Sequence, residues 1–198
     1  GHGALEFAGT TANSYGSPGS GASGVTSIAM GTLRMNKTAG TAAVSGRIEV
    51  GNNSGMPNSS TLLWLASNQF ADQLNVNNAL LVIESTGFAN LNGFSETIVG
   101  PTVNSFFTRL GTMASGNLDL KGGTLTLGDG TNAVGHWGSA TTGSITTQSP
   151  AGRIFDSVGT GNLVLAANNA AWDTGNATIQ RAQLQVDATI TNTGSGRI

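Results

Sequence analysis

The chain has 198 residues, with 8 Lys+Arg against 10 Asp+Glu, a formal net charge of −2, no Cys, and Gly (30), Thr (25), Asn (19) and Ser (19) filling nearly half of it. Only 9% of residues are charged, against about 25% in an average soluble domain, so there is no electrostatic footprint for nucleic acid or an anionic membrane surface. No apolar run is long enough for a transmembrane helix, no cysteine offers a disulfide, thiol or zinc site, and the dominant residue types are poor helix formers.

One short phrase recurs along the chain: Gly, any residue, an aliphatic, any residue, an aliphatic. The first copy is loose, Gly3-Ala4-Leu5-Glu6-Phe7. Tyr15 to Gly24 then reads as a Gly/Ser/Pro loop inserted outside the regular structure. Full copies follow at Gly31-Thr32-Leu33-Arg34-Met35 and Gly46-Arg47-Ile48-Glu49-Val50. The glycine-free stretch Ser59 to Gln73 has a helix-like look, but a strand plus a turn is the better reading. Further full copies are Gly116-Asn117-Leu118-Asp119-Leu120, Gly123-Thr124-Leu125-Thr126-Leu127 and Gly161-Asn162-Leu163-Val164-Leu165. Looser ones are Gly152-Arg153-Ile154-Phe155-Asp156 and Ala182-Gln183-Leu184-Gln185-Val186. Each has period two, the mark of a half-buried strand. Flanking Gly, Asn and Ser supply the turns.

Spacing narrows the architecture. Leu33, Ile48 and Leu63 follow at intervals of 15, and Leu118 and Leu125 are 7 apart. Short strands at such intervals fit a β-sandwich or a β-solenoid. Aromatics are only 6%, little for the core between two sheets. A narrow interior of aliphatic ladders suits a solenoid better. So does the low charge, because stacked side chains lie about 4.8 Å apart and like charges there repel. The expected fold is all-β: a parallel β-helix, one domain over 1–198, with roughly 20–25 residues per coil and roughly 8–9 coils. Leu33, Ile48, Leu63, Leu118, Leu125, Leu163 and Leu184 are expected to point inward.

Three stretches resemble a known family, the autotransporter-associated β-strand repeats of long bacterial surface and secreted proteins. The first is Gly3-Ala-Leu-Glu-Phe-Ala-Gly-Thr-Thr-Ala-Asn-Ser-Tyr15-Gly, followed by Gly31-Thr-Leu-Arg-Met-Asn36. The others are Leu91-Asn-Gly-Phe94-Ser-Glu-Thr-Ile98 and Gly123-Thr-Leu-Thr-Leu-Gly128. Two departures are Ala4, where the family has Thr, and a longer loop after Tyr15. The resemblance implies a right-handed β-helix, an extracellular or cell-surface location, a structural or adhesive role and no catalytic residues. Joining Asp187–Ile198 to Gly1–Phe7 gives a composite more similar to the family than either end alone. The chain is therefore expected to be a segment of a tandem array, or a subunit whose ends stack through Leu5, Phe7, Ile190 and Ile198. Gly1-His2 is either native or a scar.

Candidate chemistry is sparse. The acidic residues Glu6, Glu49, Asp72, Glu84, Glu96, Asp119, Asp129, Asp156, Asp173 and Asp187 are scattered, whereas acid/base cleavage of a polysaccharide needs a convergent pair. Asp119 and Asp129 can approach on adjacent coils, but a solvated rim accounts for them better. Two histidines without Cys build no zinc site, and Gly128-Asp129-Gly130 matches a calcium turn only once. His136-Trp137, set between Gly135 and Gly138, can line a sugar site or fold over a strand end. Asn36-Lys37-Thr38, Asn58-Ser59-Ser60 and Asn176-Ala177-Thr178 fit the glycan acceptor pattern, as chance allows in such a chain.

The expected function is a structural module of a bacterial fibre, not an enzyme, with no cofactor and no metal. Its expected partner is itself, head to tail. The alternative is an adhesin module binding surface glycans through loops at Tyr15, His136, Trp137 and Trp172. A polysaccharide-cleaving enzyme is the third reading.

Overall fold

The computed structural model describes residues 2–14, 25–52, 54–71, 81–98, 108–110, 116–127, 153–166 and 185–193. Among them the chain is all-β, with fifteen strands numbered in chain order and no helix. The longest sheet has seven strands: β1 (Ala4–Gly9), β3 (Gly31–Lys37), β5 (Ser60–Trp64), β7 (Gly87–Asn90), β10 (Asn117–Asp119), β12 (Arg153–Phe155) and β14 (Gln185–Asp187), neighbours in that order. A second sheet orders β2 (Val25–Ile28), β4 (Arg47–Val50), β6 (Leu81–Ile83) and β9 (Thr108–Leu110). The third orders β8 (Glu96–Ile98), β11 (Thr124–Leu127), β13 (Asn162–Leu165) and β15 (Thr189–Asn192). Every strand pairing is parallel. Parallel neighbours need a crossover, and here the crossovers run through the other sheets, as β8 and β9 lie between β7 and β10.

The registers align equivalent residues into rows. In the long sheet Leu5, Leu33 and Leu62 are successive partners, as are Phe7, Met35 and Trp64. Leu33, Met35, Ile48, Leu62, Trp64, Leu118, Leu125, Ile154 and Leu163 are buried and belong to one hydrophobic core. Leu63 is a correction. It is only half-buried, and Leu62 and Trp64 take the inward positions. The run Leu62-Leu63-Trp64-Leu65 is apolar on both faces, so alternation alone cannot fix its phase; pairing of Leu33 with Leu62 and Met35 with Trp64 does. Leu184 lies outside the described residues.

The coil length is also corrected. Ala4 pairs with Thr32, an advance of 28 residues, and Asn117 pairs with Arg153, an advance of 36. These exceed 20–25, whereas Val25 pairs with Arg47, an advance of 22 that falls within that range. The long sheet has seven described strands.

The leading glycine of the phrase has a steric cause. Gly87 begins β7 and Gly116 precedes β10. A Cβ on Gly87 would overlap the Val50 carbonyl, and one on Gly116 the Ile83 carbonyl. The strand starts pass against the ends of second-sheet strands, leaving no room for a side chain. Ser60 occupies the equivalent position in β5, paired with Gly31 and Gly87. Its hydroxyl is buried without a hydrogen-bond partner.

Candidate functional site

The first strand of the third sheet begins with a carboxylate where its neighbours carry aliphatics. Glu96 pairs with Leu125, which pairs with Leu163, which pairs with Ile190. Glu96 is 1% exposed. One of its oxygens accepts from Trp64 Nε1 at 2.7 Å and from the Gln69 backbone N–H at 2.7 Å. Gln69, also buried, accepts from the Lys37 backbone N–H at 2.9 Å and donates to the Lys37 and Ser67 carbonyls. The Lys37 ammonium donates to the carbonyls of Thr11, at 2.7 Å, and Ala8, at 3.1 Å. A buried polar path thus ties four successive passes of the chain together at one corner. Trp64 packs its ring against Phe70, with centroids 5.4 Å apart. Charged donors and acceptors make the stronger hydrogen bonds, and a carboxylate that receives N–H donors has the compensation that burial demands. The arrangement holds a corner; it presents no group to solvent for chemistry.

A second carboxylate cluster follows β10 and β12. Asp119 Oδ1 accepts from the backbone N–H groups of Lys121, at 2.9 Å, and Ser157, at 3.0 Å. Asp156 accepts from Gly122 N–H at 2.8 Å, Val158 N–H at 3.2 Å and Gly161 N–H. Desolvation pushes the Asp156 carboxyl up, but the N–H donors of Gly161, Gly122, Val158 and Gly159 outweigh it and hold the group below its ordinary value. The solvated-rim reading of Asp119 is therefore corrected: its carboxylate is buried, because it staples its own turn and the next strand's turn. These carboxylates are spent on backbone donors. Among the described residues, no three of His, Cys, Asp and Glu converge to hold a metal.

The remaining feature is the pair of outermost strands. Among the described residues β1 has one sheet neighbour, β3, and β14 has one, β12. Leu5, in the inward row, is 59% exposed, and Ile190, at the end of the third sheet's inward row, is 40% exposed. Phe7 is half-buried and packs on the core. Row members further in, such as Leu33 and Leu163, are buried. On the outward side Glu6 is the register partner of Arg34 and receives Asn36 Nδ2 at 2.7 Å, and Arg153 Nε bridges Asp187 at 2.9 Å.

Of the residues singled out from sequence, Leu5 lies on the outermost described strand of the long sheet and Ile190 on that of the third sheet, both exposed. Tyr15, Asp129, His136, Trp137, Trp172 and Ile198 lie outside the described residues. The acceptor residues Asn36 and Asn58 are exposed. Sequence reasoning missed Lys37, Gln69 and Glu96. The available signal was a charged or amide residue at a strand end beside aliphatic rows, and in Glu96 it was hidden by the expectation that acidic residues face water. No family model, no curated protein and no solved structure matches this chain.

Proposed function

We propose that the chain is a right-handed parallel β-helix of the autotransporter-repeat kind, acting as a structural module of a bacterial extracellular or cell-surface fibre and stacking end to end on further copies. The observation that carries this reading is the parallel pairing of every described strand, which lines equivalent residues up in rows from one pass of the chain to the next. Parallel sheets are ordinarily covered, and an open strand edge beside exposed core residues invites another chain. Support for the β-helix comes from parallel pairing throughout and from crossovers that run sheet to sheet. Support for a structural role comes from the side chains: the best-placed polar groups bind backbone rather than facing a cleft. A contact between two different ends is heterologous and propagates into an open fibre.

Electron microscopy of the purified chain across a concentration series tests this. Unbranched fibres that lengthen with concentration are expected. Discrete short rods at every concentration overturn end-to-end stacking.

A further inference from the structure

We draw no further inference here: the strongest candidate, the uncharged outward face of the third sheet, where Thr97, Thr126, Val164 and Thr191 form one row and Thr124, Asn162 and Thr189 another, carries nothing, because nothing in the structure shows what covers it.

Discussion

At the scale of single residues, the glycines explain why the repeated phrase begins as it does. Gly116 is required by contact: a Cβ there would strike the Ile83 carbonyl and crowd the Ile83 side chain. Both are pinned by the second sheet, so neither can yield cheaply. Gly116→Ala should cost about 1–3 kcal/mol, the usual range for overpacking. Gly3 precedes β1 as Gly116 precedes β10, yet a Cβ on Gly3 meets nothing within 4 Å. Gly3→Ala is therefore expected to leave the urea midpoint unchanged. Paired urea titrations of the two variants check both halves, and equal losses would mean that the glycines serve chain flexibility rather than fit.

At the same scale, Asp156 ties stability to pH. Its carboxyl is held below the ordinary value by backbone donors that prevail over desolvation. A group whose folded pKa is depressed contributes fully above the unfolded value of about 3.9, and the contribution is lost as pH falls through the lower folded value. The wild type should lose stability below about pH 4 more steeply than Asp156→Asn, and the variant should be the less stable of the two near neutrality. Thermal melts from pH 2.5 to 7 read both.

At the scale of elements, period two made strands legible: seven of the eight phrases fall on β1, β3, β4, β10, β11, β12 and β13, and the eighth, Ala182–Val186, is described only from Gln185, where it enters β14. The strands it left unnamed depart from that pattern. β7 is Gly-Phe-Ala-Asn, with small Ala89 inward and Phe88 half-exposed, which inverts the expected sizes. β6 is apolar throughout, and periodicity cannot tell such a run from buried helix. β8 opens with Glu96, a residue type that reads as surface. Its role was illegible because it depends on Trp64 and Gln69, brought near only by the fold, from 32 and 27 residues away. Glu96→Ala would leave the Trp64 ring N–H and the Gln69 backbone N–H without this acceptor in a buried corner. A loss of about 2–4 kcal/mol is expected. A change within about 0.5 kcal/mol, the range of an ordinary surface substitution, would show that the corner is held by packing alone.

At the scale of the whole molecule, one aliphatic row has buried members and an exposed one, and under the proposed stacking their position along the row sets what each contributes. Leu118 sits in the middle with neighbours on both sides, fully buried. Its side chain contributes to the fold in every copy whether or not copies meet, so Leu118→Ala should cost about 2–5 kcal/mol. Leu5 occupies the same row but, among the described residues, has a strand partner on one side only, and it is 59% exposed. Little of its apolar surface is removed from water in a single copy, so Leu5→Ala should cost about 1 kcal/mol or less in dilute solution. When ends stack, the remaining surface becomes buried, and its loss falls on association instead. Leu5→Ala is therefore expected to melt nearly like the parent while raising the concentration needed for fibres. Melting and microscopy on both variants separate the two contributions. If Leu5→Ala melted as poorly as Leu118→Ala, the first strand would be core in the single copy. If it assembled like the parent, the bare end of the row would not be where copies join.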